Sequence, residues 1–268
     1  MIRAAILDMY NNTPNLGLSS LLDIIQGYFP MIAPELFNVR AEFELPDDSY
    51  HIYICSGGPG HPLDGDGKWN DRFYALIDEL WEINKTDDEK KYVFFICHSF
   101  QMACHHFRIG TISKRHRKSI GIFPVDTTRS GKEDRLFKYL TNPFYAADFR
   151  EFQVLDPRHD QVELIGAKVL AIERENRDHP KGRAVMAVKF SNEFYGTQFH
   201  PEAHPTGMEG YLEEFDRKIE IIRRYGIDAY QEMLFYLRDP LKVDHTYRTI
   251  LPGFISHAVT CLQPGLVS

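Results

Sequence analysis

Three residues of reactive type, Cys97, His200 and Glu202, lie at or just beyond the ends of strand-like runs: Cys97 directly follows an apolar run, and "YGTQF" leads to His200 and then Glu202. A cysteine thiolate is a nucleophile, and a histidine can take a proton from the thiol and return it to a leaving group. A carboxylate that contacts the histidine fixes the tautomer of its ring. The residue types therefore fit covalent catalysis by a thiol, provided that the fold brings them together.

Cys97 lies in "YVFFICHSFQ", where an apolar run becomes polar. A cysteine at a sharp strand-to-helix turn points its sulfur away from the sheet, and the dipole of the following helix favours the thiolate. The alternative is a structural cysteine, since free cysteines are among the most buried residues. Position alone leaves both interpretations open.

Two further segments carry the other candidate groups. Pro201 disfavours a helical conformation at His200, so "QFHPE" is predicted to be extended, with His200 and Glu202 on the same side of the chain. A structural role for this histidine is the alternative. The segment "SGGPG" at 56–60 is either an ordinary turn or a loop whose backbone N–H groups face a developing oxyanion.

The elements around these segments alternate between strands and helices. Apolar runs at "RAAILDMY", "LFNVRAEFEL" (36–45), "YHIYIC" and "KYVFFIC" predict strands, and the segments from 16 and from 69 have helical spacing. Such alternation predicts an α/β fold with a doubly wound, mostly parallel sheet, whose sites form at the carboxyl ends of the strands. Short strand-like runs after residue 119 predict added antiparallel strands. A single helix over 208–226 begins a C-terminal helical extension, so we predict a domain at 1–205 and an extension at 206–268 that packs on it.

Composition excludes several classes of function. The 268 residues carry a net charge of −7, whereas nucleic-acid binders and membrane-surface proteins usually have a basic excess. No apolar stretch approaches the ~18 residues of a membrane span. The four cysteines form no CxxC pair, which fits a reducing cytoplasm and argues against a metal site.

We expect the basic run "KRHRK" at 114–118 to be a solvated loop. We expect the aromatic residues around Tyr225 to form a packing face or a contact between subunits of a homo-oligomer.

The three segments together resemble the class I glutamine amidotransferases, and "SIGIFPV" at 119–125 is similar to a strand of the branch close to the glutaminase part of GMP synthase. That family has a catalytic Cys-His-Glu triad on a flavodoxin-like sheet. Its "SGGPG" loop, its nucleophile turn Gly-x-Cys-x-Gly-x-Gln and its "QFHPE" segment are matched in the same order by residues 56–60, 95–101 and 198–202.

The resemblance implies a role for each matched residue. Cys97 attacks the side-chain amide of glutamine, His200 moves the proton and Glu202 holds His200, without any cofactor. The backbone N–H groups of Gly58 and His98 bind the oxyanion.

For substrate binding, the resemblance adds Gln101 and Gly57. Arg158 contacts a substrate carboxylate or is a solvent-facing loop residue. In the family, the released ammonia goes to a synthase domain or partner.

Departures from the family pattern leave three hypotheses. Phe95 and Ser99 stand where the family has glycines, and Pro157 and Arg158 replace a Ser-His pair that precedes the segment around Asp160. The first hypothesis is a glutaminase that supplies ammonia to a synthase partner. The second is a stand-alone thiol hydrolase of γ-glutamyl amides, and the third is a non-catalytic binding module of the same fold.

Overall fold

A computed structural model describes residues 1–65, 67–174 and 182–263. Within these residues the strands are β1 (Ile2–Asp8), β2 (Ile32–Asn38), β3 (Ile52–Cys55), β4 (Tyr92–Ile96), β5 (Thr111–Thr127), β6 (Phe144–Leu155), β7 (Lys168–Glu173), β8 (Val185–Lys189) and β9 (Phe194–Thr197). The helices are α1 (Leu16–Gln26), α2 (Trp69–Thr86), α3 (His98–His106), α4 (Arg129–Glu133), α5 (His159–Leu164), α6 (Pro205–Glu213), α7 (Phe215–Tyr225), α8 (Ile227–Arg238) and α9 (Val243–Leu262).

The described strands form one mixed sheet in the order β2-β1-β3-β4-β9-β8-β7-β5-β6. Its first five members are parallel to one another, and the remaining strands pair in antiparallel fashion. The sheet confirms the predicted α/β, flavodoxin-like fold with added antiparallel strands. Since β1, β3, β4 and β9 run in the same direction, their carboxyl ends meet at one edge, where the three predicted segments begin.

Side chains alternate between the two faces of the parallel strands. On one face, Ile54 and Phe94 belong to a core that includes α1 and Phe254 of α9. On the other face, Tyr53 and Phe95 belong to a core that includes α2 and α3. Burial on both faces explains why these strands read as continuous apolar runs rather than as alternating ones.

Two predicted elements are wrong in their bounds. The second strand is β2 at 32–38 rather than 36–45, and the chain after residue 38 turns away from the sheet. The helix predicted over 208–226 is divided into α6 and α7 by Glu214, whose backbone is extended (φ −52°, ψ 133°). Leu212 and Ile221 lie in the same buried cluster, although in one continuous helix they would be about two and a half turns apart and on opposite sides.

The basic run at 114–118 also differs from its prediction, because it lies within β5 and not in a loop. Arg115 is nearly buried there and pairs with Glu173 at 3.0 Å, while Lys118 pairs with Glu151 at 3.4 Å. No helix in the described part of the chain is long and apolar enough to cross a membrane.

The division at residue 205 coincides with the start of α6, but the helices beyond it do not form a separate core. Ile250, Phe254 and Ala258 of α9 pack in the same cluster as the parallel strands. Helices α6 and α8 cover β5 and β6 through a third buried cluster, separate from the two cores on the faces of the parallel strands, which includes Met208 and Met233. The end of the predicted extension, residues 264–268, lies outside the described residues.

Candidate active site

Cys97 lies at the turn between β4 and α3, with backbone angles of φ 51° and ψ −95°. A positive φ is rare for a residue with a side chain and costs on the order of 1–3 kcal/mol, which the surrounding structure must offset. The Cys97 N–H donates to the carbonyl of Thr197 in β9 at 2.8 Å, which ties the turn to the neighbouring strand. This strained strand-to-helix turn has the geometry of a nucleophile elbow.

Ser99 explains how the turn forms without its second glycine. The Ser99 hydroxyl is buried and lies 2.8 Å from the carbonyl of Cys55 and 3.1 Å from that of Ile96. It also accepts a hydrogen bond from the Ile96 N–H at 2.9 Å. The side chain is therefore satisfied by backbone groups and does not obstruct the elbow.

Phe95, at the position of the first glycine, is accommodated by the adjacent strand. It is opposite Gly196 in the β4–β9 register. A Cβ at Gly196 would lie 3.2 Å from the Phe95 Cβ and 2.7 Å from the Phe100 ring. The absence of a side chain at Gly196 leaves room for Phe95, whose ring packs against Phe190 and Phe194.

His200 and Glu202 follow β9 and contact each other directly. His200 Nδ1 and Glu202 Oε1 are 2.7 Å apart, and Glu202 is 1% exposed. With Nδ1 committed to Glu202, His200 Nε2 is left to interact with the Cys97 sulfur. His200 itself is in a β-bridge with Ala147, but the chain then turns, because the Ala203 N–H donates to the His200 carbonyl at 3.3 Å. The prediction that the whole segment is extended is therefore wrong, and the turn after His200 brings the carboxylate of Glu202 beside the imidazole.

The electrostatics of His200 follow from these two neighbours. Burial by itself lowers the pKa of the imidazole, but the charges of Glu202 and Cys97 and the hydrogen bonds to both outweigh it, so the pKa of His200 is raised well above its ordinary value. The arrangement favours a protonated imidazole next to the sulfur.

The loop after β3 passes beside this pair. A Cβ at Gly57 would lie 2.9 Å from His200 Cε1 and 3.5 Å from the Cys97 Cβ. A Cβ at Gly58 would lie 2.4 Å from the carbonyl oxygen of Met9. Only glycine allows the backbone to come this close, which is the arrangement that an oxyanion-binding loop needs.

His98 is the first residue of α3, so its N–H has no acceptor within the helix. Its side chain is buried, and burial together with the charges of Arg40 and His61 lowers the pKa of the imidazole to about 3. The ring is therefore neutral at physiological pH. Its Nε2 has no hydrogen-bond partner among the described residues.

Gln101 lies one helical turn beyond Cys97, and its N–H donates to the Cys97 carbonyl at 3.0 Å, whereas Arg158 forms no hydrogen bond or ion pair with the other predicted residues in the described part of the chain. The Gln101 amide is buried and donates to the Phe152 carbonyl at 2.9 Å and to Gln198 Oε1 at 3.0 Å. Gln198 Nε2 in turn lies 3.8 Å from the Cys97 sulfur. Arg158 is 55% exposed and faces Asp160 at 3.9 Å. The side chain of Gln101 is thus linked to the Cys97 sulfur through Gln198, and substrate-binding roles for Gln101 and Arg158 stay predictions.

Tyr10, in the loop after β1, is a site residue that sequence reasoning missed. A Cβ at Gly17 would lie 2.6 Å from its hydroxyl and 3.1 Å from Glu202 Oε1, and a Cβ at Gly57 would lie 3.1 Å from the same hydroxyl. Burial and the charges of Glu202, Cys97 and Asp8 raise the pKa of Tyr10 well above its ordinary value. The neutral hydroxyl thus lies among the three predicted catalytic residues. The signal in the sequence is only its place directly after a strand of the parallel sheet.

A cavity of 520 Å³ opens above the elbow. One wall is the β1–α1 loop with α1, and the other is formed by β5, β6 and the helices α6 and α7. Its lining includes Tyr10, Asp23, Gly58, Cys97, Lys118, Phe149, His200, Glu202 and Arg217. The predicted nucleophile, base and carboxylate therefore share one solvent-accessible space.

No group of three or more His, Cys, Asp or Glu side chains in residues 1–65, 67–174 and 182–263 is arranged to hold a metal ion. Cys97 lies directly before α3 and Cys104 within it, and both are buried. His106 contacts Asp78 at 2.7 Å.

A doubly wound sheet with a thiol, an imidazole and a carboxylate at the carboxyl edge of its parallel strands defines a class of α/β proteins built around a nucleophile elbow. A family model, glutamine amidotransferase class-I, matches residues 32–218. The match extends over most of the chain, which therefore belongs to the class I glutamine amidotransferase family. It begins at β2, so β1 and α1 lie outside the matched range.

Solved structures agree with this fold. The chain is similar to a glutamine amidotransferase from Thermotoga maritima, with a TM-score of 0.66, 15% identity and coverage of 96% of this chain and 98% of that one. It is similar to a glutamine amidotransferase from Methylobacillus flagellatus, with a TM-score of 0.64, 14% identity and coverage of 99% and 95%. The glutaminase domain of Trypanosoma brucei CTPS with bound acivicin gives a TM-score of 0.54 at 14% identity, covering 75% and 86%. At these identities the likeness shows the fold alone, and no curated protein matches the chain significantly.

Proposed function

We propose that this protein hydrolyses the side-chain amide of glutamine or of a γ-glutamyl compound through a thioester on Cys97. The observation that carries the proposal is the buried pair of His200 Nδ1 and Glu202 Oε1 at 2.7 Å, next to a cysteine on a strained turn. A nucleophile, its base and the group that orients the base are the minimal machinery for covalent amide hydrolysis.

In the first half of the reaction, His200 Nε2 holds the proton of the Cys97 thiol while the sulfur attacks the amide carbon. The negative oxygen of the tetrahedral intermediate accepts hydrogen bonds from the backbone N–H groups of Gly58 and His98. When the carbon–nitrogen bond breaks, His200 donates the proton to the leaving nitrogen, and ammonia or an amine departs. A glutamyl thioester remains on Cys97.

In the second half, His200 removes a proton from a water molecule that attacks the thioester carbon. The carbon–sulfur bond breaks, glutamate leaves and Cys97 regains its proton. Glu202 keeps the imidazole in one tautomer and stabilises its charged form in both halves.

Labelling with an electrophilic glutamine analogue tests this assignment. We expect a covalent adduct on Cys97, located by mass spectrometry, and none in the Cys97→Ala variant. Burial raises the pKa of the Cys55 and Cys104 thiols, so neither competes as a thiolate, and a Cys261→Ala variant controls for the exposed thiol. An adduct on Cys104 or Cys55 contradicts the assignment, and complete lack of labelling favours a non-catalytic binding module.

As part of the same proposal, the released ammonia passes to a synthase partner in the cytoplasm. The family membership supports this role. The competing candidate is a stand-alone hydrolase of γ-glutamyl amides, and the observation that favours it is the size of the cavity, which falls in the ~300–1,000 Å³ range of pockets for drug-sized ligands. Comparison of kcat/KM for glutamine and for γ-glutamyl amides separates the two.

A further inference from the structure

The far end of the catalytic cavity carries two cationic side chains to which the proposed reaction assigns no role. Lys118 of β5 and Arg217 of α7 both line the space that Cys97 and His200 open into. The other charged groups in this lining are Asp23, on the α1 wall, and Glu202, which is engaged with His200.

Contacts along one wall connect one of these cations, Arg217, to Cys97. The Cys97 sulfur lies 3.9 Å from the carbonyl oxygen of Phe149, whose ring packs edge-on against Tyr211 with 5.6 Å between centroids. The guanidinium of Arg217 lies over the Tyr211 ring at 5.1 Å. An aromatic wall therefore leads from the reacting atom to a positive charge.

The present partners of both cations are weak. Lys118 faces Glu151 at 3.4 Å and Arg217 faces Glu220 at 3.4 Å, and all four side chains are between 35% and 52% exposed. Exposed ion pairs of this kind contribute little free energy. Either cation can exchange its carboxylate partner for an anionic group of a ligand at small cost.

We propose that the preferred substrate is a γ-glutamyl amide whose amine portion carries a carboxylate, and that Lys118 and Arg217 bind that carboxylate at the far end of the cavity. This inference rests on the proposed amide hydrolysis through Cys97, and it favours the stand-alone hydrolase over the supply of ammonia to a synthase. The cavity is much larger than the amide end of glutamine requires, and its aromatic wall with a cationic end matches an amine portion that has an apolar body and a terminal acid.

The test compares kcat/KM for three substrates: γ-glutamyl-glutamate, γ-glutamyl-methylamide and glutamine. The α-carboxylate of the glutamyl part is common to all three, so differences report on the amine portion. We expect γ-glutamyl-glutamate to be preferred over the methylamide by about tenfold or more, the effect of one or two charge-assisted hydrogen bonds.

The variants Lys118→Met and Arg217→Gln should each reduce that preference several-fold, mainly by raising KM for the acidic substrate, while kcat/KM for the methylamide stays the same. Lys114→Met and Arg223→Gln are matched controls, because they remove the same charges from the same strand and helix outside the cavity. Neither control should change the preference.

An equal loss on all three substrates assigns the two cations to the α-carboxylate and overturns the inference. Equal kcat/KM for the acidic and neutral amides in the unmodified protein overturns it as well. Failure of the proposed function looks different, because then none of the three amides is hydrolysed and the glutamine analogue does not label Cys97.

Discussion

The Glu202→Gln substitution is the sharpest probe of the candidate triad. It keeps the shape of the side chain but removes the charge that lies 2.7 Å from His200 Nδ1 in a buried position. Breaking one partner of a buried ion pair costs about 3–5 kcal/mol. If that free energy is lost from the transition state, kcat/KM falls by about a hundredfold to a few thousandfold.

The pair of Asp78 and His106 provides a matched control. These side chains are also 2.7 Å apart, but Asp78 is 63% exposed and far less is lost when an exposed pair is broken. Asp78→Asn should therefore leave kcat/KM unchanged within about twofold. The assay is the release of ammonia from glutamine, measured for both variants under the same conditions.

The Glu202→Gln variant should also change the titration of His200. The charge of Glu202 contributes to the raised pKa of His200, so its removal should lower that pKa, and the imidazole followed by NMR should lose its proton at lower pH. A loss of activity below about tenfold would refute the role given to Glu202, as would an unchanged His200 titration.

Three further predictions follow from the site. Because the pKa of His200 is raised in the folded protein, its charge stabilises the fold below the ordinary histidine pKa. This contribution is lost as the pH rises through the folded-state pKa. Urea unfolding of the unmodified protein and of His200→Ala at several pH values measures it. Tyr10→Phe removes a hydroxyl from beside the triad and should lower kcat/KM by about threefold to tenfold, the effect of one hydrogen bond, with an unchanged urea midpoint. Gly58→Ala forces a Cβ against the Met9 carbonyl and should destabilise the protein by about 1–3 kcal/mol. Gly210→Ala is the control, because a Cβ added at this helical residue meets open space and should be neutral or stabilising. Equal unfolding midpoints for the two alanine variants would argue against the close approach at Gly58.

The parallel strands and the order of the site segments could be predicted because their signals are local. A strand buried on both faces is apolar throughout, as "YVFFIC" is, and the turn after it is marked by a change to polar residues. Pro201 correctly excludes a helix at His200, although the chain turns directly after it instead of staying extended. These features depend on neighbours in the sequence and not on distant contacts.

Other features depend on partners far along the chain and left no local signal. The end of β2 is set by its pairing with β1, whereas the alternation of apolar and polar residues continues past the end of β2 into a turn. Glu214 sits among charged residues that suit a helix, and only the shared burial of Leu212 and Ile221 requires the break. The space for Phe95 comes from Gly196, about a hundred residues further on in another strand.

Two serine hydroxyls connect the loops that form the site. Ser56 Oγ accepts a hydrogen bond from the Met9 N–H at 2.9 Å, and Ser99 Oγ lies 2.8 Å from the Cys55 carbonyl. The ends of β1, β3 and β4 are thereby fastened to one another below the cavity. A ligand that displaces one of the loops that bear Tyr10, Gly58 and Cys97 has to strain the hydrogen bonds that join it to its neighbours. We therefore expect the spacing between Cys97 and the backbone N–H of Gly58 to change little when a ligand binds.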